Sequence, residues 1–272
     1  MLEYLFSATL TYPNISPDIV SFGPITIRWY SMAYLAGWGL AWLYMLRLIK
    51  HKGAPCTAAQ VGDFFFWAMV GIILGGRLGY VLFYNFSFYL SHPGDILALW
   101  DGGMSFHGGF IGVSLATYFY CRKQKIPFFR FTDLMACVSP IGLFLGRLAN
   151  FINGELFGRT TDAAVGMVFP RGGPLPRHPS QLYEAALEGL ALFFLMWFLF
   201  HFTNLRKTPG RLTGIFIIGY AAARTFVEQY REPDQQLGFL YGTGFLTMGQ
   251  LLSIPMVLLG LYLIFRKIKK SI

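Results

Sequence analysis

Apolar residues gather into seven runs long enough to cross a bilayer as helix, which takes about 20 residues. They fall at roughly 24–47, 63–84, 104–121, 132–151, 181–202, 211–230 and 247–265. Glycine recurs inside them, as expected where helices pack closely in lipid. Short polar loops separate the runs, with one longer loop at 152–180 that contains RTTD and RGGPLPRHPS. That loop predicts a small irregular head with a strand near 165–169. Residues 1–22 and 85–100 carry apolar and aromatic residues without lysine and predict segments lying along the membrane interface. The pattern as a whole predicts an all-α polytopic integral membrane protein, one transmembrane domain over 1–272, with about seven transmembrane helices.

Composition strengthens this. Of 272 residues, 55% are hydrophobic and 13% charged, and the mean hydropathy is +0.50; soluble domains average about 25% charged. A net charge of +9 would suggest a nucleic-acid partner in a soluble protein. Here the basic residues cluster between apolar runs instead, so no nucleic acid is expected. Arg47, Lys50 and Lys52, then Arg122, Lys123, Lys125 and Arg130, then Arg206, Lys207 and Arg211, and finally Arg266, Lys267, Lys269 and Lys270 all fall on one side. Arg159, Arg171, Arg177 and Arg231 are on the other. The positive-inside rule then puts the N-terminus outside, the C-terminus in the cytoplasm and the 152–180 head on the outer face. The first residues lack a basic n-region, so the first span is expected to be its own targeting signal. Cys56, Cys121 and Cys137 form no disulfide framework.

Polar residues inside the apolar runs are the candidate chemistry. The densest group is GRLANFINGELFGR at 146–159, where Arg147, Asn150 and Gly154 follow at helical spacings. Arg224 lies in YAAARTFVEQYREPD with Tyr220 and Glu228 four residues to either side. Arg77 sits in GGRLGY, His107 in SFHGGF, and Tyr30 follows Arg28 and Trp29. A cation in lipid normally faces a partner or a working site. Guanidinium groups at headgroup depth suit a phosphate, to which they donate paired hydrogen bonds. Bland readings compete: Tyr30 and Arg28 as interfacial anchors, His107 as a structural histidine, Glu228 as a simple counter-charge to Arg224, Glu155 as a cap or loop partner. No P-loop, HExxH or CxxC pair occurs, so no cofactor or metal is expected. A transporter or anion channel would need polar residues along the cytoplasmic half of its spans, which is largely apolar here apart from Arg77. A metal-dependent lipid-headgroup transferase would need several spaced aspartates, and only Asp63 and Asp133 lie near spans.

The motifs GRLANFINGELFGR, HGGF, GGRLGYVLFY, RHPSQLYEA and YAAARTFVEQYREPD, in their places across seven spans, resemble the bacterial prolipoprotein diacylglyceryl transferases. That resemblance implies transfer of the sn-1,2-diacylglyceryl group of phosphatidylglycerol to the lipobox cysteine of a preprolipoprotein signal peptide, forming a thioether and releasing glycerol phosphate. It implies a multi-pass protein of the bacterial inner membrane, among membrane lipids, with its site toward the periplasmic face. By motif position, the important residues fall on Tyr30, His107, Arg147, Asn150, Glu155, Gly158, Arg224 and Glu228, with His178 and Tyr220 as further members. Arg147 and Arg224 are the expected phosphate ligands, with Arg77 as a further phosphatidylglycerol contact. Asn150 and Tyr30 are expected to hold headgroup oxygens, and Glu155 or Glu228 to orient the arginines. His107 is the candidate base; the alternative is an arginine that lowers the thiol pKa without it. One departure is Arg28, where the family often has histidine.

Overall fold

The computed structural model describes residues 10–13, 15–23, 25–232 and 246–267. Most of the loop expected at 231–246 therefore lies outside the described residues, as do residues 1–9 and the tail with Lys269 and Lys270. Among the described residues the chain forms two compact units. The first combines residues 1–44 with 132–272, and the second is 45–131.

The first regular elements among the described residues form a two-stranded antiparallel hairpin, β1 (Asp18–Phe22) and β2 (Ile25–Arg28). The β-branched residues Ile25, Thr26 and Ile27 suit a strand, and Gly23, at φ +58°, turns the chain between the two. Asp18 pairs with Arg28 in register and by an ion pair of 3.2 Å. The hairpin is an addition to the all-helical expectation.

Long helices follow: α1 (Trp29–Leu48), α2 (Ala58–Tyr84), the short α3 (Phe86–Ser91), α4 (Phe106–Lys123), α5 (Phe128–Ile152), α6 (Ser180–Phe202), α7 (Arg211–Val227) and α8 (Met248–Phe265). Four of them, α2, α5, α6 and α8, are long and apolar enough to cross a membrane. The outward faces of α2, α6 and α8 are apolar: Leu74, Phe83, Phe198, Leu258 and Tyr262 are all exposed. The first unit meanwhile buries Glu184, Glu188 and Arg231. An apolar outside over a charged inside is the reverse of a soluble protein and fits a lipid surrounding. The protein is a helical membrane protein.

In the second unit α2 and α4 pack backbone to backbone. A side chain at Gly79 would meet Gly108 Cα at 2.7 Å, and one at Gly71 would meet the Gly112 carbonyl at 2.8 Å. Small residues every four positions on both helices make this approach possible. Thr57 and Gln60 form a capping box at the start of α2.

In the first unit, α7 and α8 cross at Gly214 and Gly260; a side chain at Gly214 would lie 2.7 Å from the Gly260 carbonyl. Helix α6 is not uniform: its turns widen to a π-helix over Ala185–Ala191. Such widening is uncommon and tends to occur at functional sites. Within it, Gly189 lets the helix backbone meet α5, since a side chain there would strike Phe144 Cα at 2.7 Å.

The 152–180 segment forms a small head around Phe151, Met167 and Phe169, with Tyr12, Phe157 and Leu182 packed against them. Tyr12 Oη donates to the carbonyls of Phe151 (2.7 Å) and Ile152 (3.0 Å), satisfying the end of α5. Isolated bridges join Leu10 to Met167, Met167 to Arg177 and Thr160 to Arg177. The strand expected at 165–169 is reduced to these bridges at Met167, because Gly166 and Pro170 flank a pairing stretch too short to extend.

Candidate active site: an arginine–glutamate network

Helix α5 ends in the motif that carries Arg147 and Asn150. Beyond it the chain doubles back through Gly154, at φ +62°, and Leu156, at φ +58°. The left-handed conformation costs a residue with a Cβ about 1–2 kcal/mol, so Leu156 needs support from elsewhere. Helix α6 supplies it from its first two residues. Ser180 Oγ donates to the Leu156 carbonyl (3.0 Å), and Gln181 Nε2 donates to the Glu155 carbonyl (2.6 Å). The motif loop is thereby fastened to the start of α6, and the polar stripe of that helix follows.

That stripe is Gln181, Glu184 and Glu188, all fully buried. Glu184 is the hub. Its Oε1 lies 2.7 Å from Arg224 Nη1 and 3.0 Å from Arg231 Nη1, and its Oε2 lies 3.3 Å from Arg147 Nε. Arg147 Nη2 also reaches Glu188 Oε2 at 3.4 Å. Arg224 Nη2 meets Glu228 Oε2 at 3.0 Å, one helical turn along α7. Three arginines and three glutamates from α5, α6, α7 and the chain just after α7 thus form one network. With every member ionised its charges cancel, which is what burial in a low-dielectric site demands.

Further contacts fix its edges. Arg159 donates from Nε to the Arg231 carbonyl (2.9 Å) and from Nη2 to the Glu228 carbonyl (3.2 Å). Gly158 bridges to Arg231, and a side chain on it would meet His178 Cβ at 2.8 Å. A side chain on Gly249, in the first turn of α8, would sit 2.9 Å from the Glu228 carboxylate. Both glycines are needed because backbone and functional side chains share the same space.

The structure accordingly brings Arg147, Arg224 and Glu228 together and sets Asn150 and Gly158 on the adjoining motif and loop. Tyr220 lies one turn before Arg224 on α7. His178, beside Gly158, shares a 3.1 Å hydrogen bond through Nδ1 with Tyr183 Oη. Burial holds the His178 imidazole below its ordinary pKa of 6.5. Tyr30, at the start of α1, is partly exposed, and its hydroxyl pairs with that of Tyr34 (3.0 Å). Glu155 accepts a hydrogen bond from Asn153 Nδ2 (3.2 Å).

His107 and Arg77 belong to the second unit. His107 is exposed on the first turn of α4. Arg77 is buried, and its guanidinium donates to the carbonyls of Asp95 (2.6 Å), Ile96 (2.9 Å), Gly102 (2.5 Å) and Gly103 (3.3 Å). It also lies over the Tyr89 ring at 5.3 Å. Its compensation comes from main chain, and it ties the 93–103 segment to α2.

Glu184 and Arg231 lie within the motifs RHPSQLYEA and YAAARTFVEQYREPD but were not singled out there, and Glu188 lies just beyond the first. The signal was present: two carboxylates four residues apart in an apolar run meet the same criterion that draws attention to the arginines. Among the described residues no group of three or more His, Cys, Asp or Glu is arranged to hold a metal ion.

Comparison with known proteins identifies the family. The sequence model of the family described as "Prolipoprotein diacylglyceryl transferase" matches residues 17–266. A phosphatidylglycerol–prolipoprotein diacylglyceryl transferase of Allorhizobium ampelinum is 52% identical over 265 residues, covering 95% of this chain and 92% of the relative. The protein of that name in Rhodospirillum rubrum is 54% identical over 254 residues, covering 93% and 92%. In Nitrobacter hamburgensis it is 53% identical over 262 residues, covering 94% and 89%. With a match spanning nearly every residue, and the buried arginines standing on the motifs that the resemblance rests on, the chain belongs to the prolipoprotein diacylglyceryl transferase family.

Proposed function

We propose that this protein transfers the sn-1,2-diacylglyceryl group of phosphatidylglycerol to the thiol of the lipobox cysteine in a preprolipoprotein, forming a thioether and releasing glycerol phosphate. The observation that carries the reading is the convergence of Arg147 and Arg224 on the Glu184 carboxylate. It sets two guanidinium groups side by side in a buried site. Fixed cations in such a place stabilise charge that develops on a departing phosphate without reorganising.

In this reading Arg147 and Arg224 hold the phosphate, and Asn150, Tyr30, Tyr220, Gly158 and His178 line the headgroup site. Glu228 and Glu155 serve to orient. Arg77 remains a lipid contact only through its hold on the 93–103 segment. His107 is the candidate base for the thiol, whose free pKa is about 8.5. The acyl chains stay among lipids along the apolar helix faces.

The proposed topology has seven spans in the bacterial inner membrane, adding α1, α4 and α7 to the four apolar helices. The N-terminus and the 152–180 head are outside and the C-terminus is cytoplasmic, with the site toward the periplasm. The basic clusters between alternate spans support it.

Transfer from labelled phosphatidylglycerol to a lipobox peptide tests the reading. Arg147→Lys and Arg224→Lys keep the charge that neutralises the buried carboxylates but lose the planar fork. Both are expected to insert normally and to lose at least tenfold in rate; wild-type rates in both would sink the assignment. Replacing Cys56, Cys121 and Cys137 together by alanine is expected to leave transfer intact, since the nucleophile belongs to the substrate.

A further inference from the structure

The network that holds Arg147 and Arg224 is balanced before any substrate arrives. An incoming phosphodiester adds a negative charge to a buried set that sums to zero, so something in the set must change. The contacts are unequal. Glu184 makes three ion pairs between 2.7 and 3.3 Å. Glu188 makes one, at 3.4 Å through Oε2, and its Oε1 is buried with no hydrogen-bond partner. Glu228 also makes one, at 3.0 Å to Arg224, so Glu188 has the longest single ion-pair contact of the three carboxylates.

We propose that the substrate phosphate displaces Glu188 from Arg147, and that Glu188 takes up a proton as it is displaced. The inference rests on the reading above, in which Arg147 receives the phosphate. The reason is electrostatic. Once Arg147 turns its Nη2 to the phosphate, Glu188 is a fully buried carboxylate without a partner, a state that costs several kcal/mol and is relieved by protonation. Among the described residues its surroundings offer no substitute cation. Arg147 on α5 is engaged by the phosphate. Glu184, a turn away on α6, is a like charge. Arg224 on α7 is held by Glu184 and Glu228. Tyr220 on α7, also within electrostatic reach, carries no positive charge. The proton comes from water, as H3O+ giving its proton to the carboxylate, and no bond to the substrate is made or broken. Release of the phosphate product reverses the exchange.

Glu188 is thus a positioning residue that acts through Arg147. Its role is to keep the arginine neutralised when the site is empty and to leave without its charge when the site fills.

The test uses the full chain in detergent with a non-transferable ether analogue of phosphatidylglycerol and no peptide. Calorimetry in buffers of different ionisation enthalpy reads proton uptake. Wild type is expected to take up about one proton per lipid bound, and its affinity to weaken up to about tenfold per pH unit as pH rises. Glu188→Gln, which keeps shape without charge, is expected to bind with no uptake and a flat pH profile. Binding by wild type without proton uptake, or the same uptake in Glu188→Gln, overturns the exchange while leaving the phosphate reading in place. Undiminished analogue binding by Arg147→Lys overturns the phosphate reading itself. Should Glu188→Gln fold poorly, Glu188→Asp serves. Its shorter arm is expected to keep the uptake, and loss of uptake there with binding intact would count against the exchange.

Discussion

Arg224 and Glu184 lie 2.7 Å apart across the α6–α7 contact, on a carboxylate with no exposure to solvent. That glutamate also serves Arg147 and Arg231, so its removal takes an ion pair from three cations at once. Breaking a buried pair by deleting one partner costs about 3–5 kcal/mol. Glu184→Ala is expected to lower thermal stability by that order in detergent and to abolish transfer. Glu184→Gln, which can still accept through its amide oxygen, is expected to lose less stability. Equal melting of Glu184→Ala and wild type would remove the hub role.

Gly189 decides how near α6 comes to α5. A side chain there strikes the Phe144 backbone at 2.7 Å, whereas one at Gly219 meets only the mobile tip of Leu192, also at 2.7 Å. Gly189→Val is expected to cost about 1–3 kcal/mol through overpacking. It should also reduce transfer, by pulling Glu188 and Glu184 away from Arg147. Gly219→Val is the control and should be milder on both counts. A larger loss at Gly219 than at Gly189 would argue against this account.

His178 supplies a pH dependence. Burial lowers its folded pKa below the 6.5 of the unfolded chain. Between those two values the unfolded state binds more protons, so stability falls as pH drops below about 6.5. Above that pH the histidine is neutral in both states and contributes no slope. The thermal midpoint is expected to fall between pH 7.5 and pH 5.5, and by less in His178→Gln. An identical fall in both proteins would assign the slope elsewhere.

Hydropathy made the helices legible, because each run of apolar residues has one physical solution in lipid: a helix with its backbone bonded internally. The terminal hairpin was not legible. Its β1 residues are exposed on both faces, so no inward and outward alternation marks them. Arg28, which reads as the edge of the first span, belongs to β2 and pairs with Asp18 instead. At the site, the arginines stood out as cations among apolar residues. What holds them did not, since Glu184 and Glu188 are distant in sequence and a spacing of four says nothing about which helix they face. The π-helical stretch that carries Glu188 also leaves no mark in composition.

The network also bears on how the protein is made. Arg147 precedes Glu188 by 41 residues. At roughly 5–20 residues per second, the ribosome needs about 2–8 s to supply the carboxylates that neutralise it. In that interval α5 is a nascent helix with an uncompensated cation near its end. Arg224 arrives 40 residues after Glu184, to a neighbourhood already charged to receive it. The order of synthesis therefore leaves the Arg147 end of α5 waiting for α6, whose arrival neutralises it.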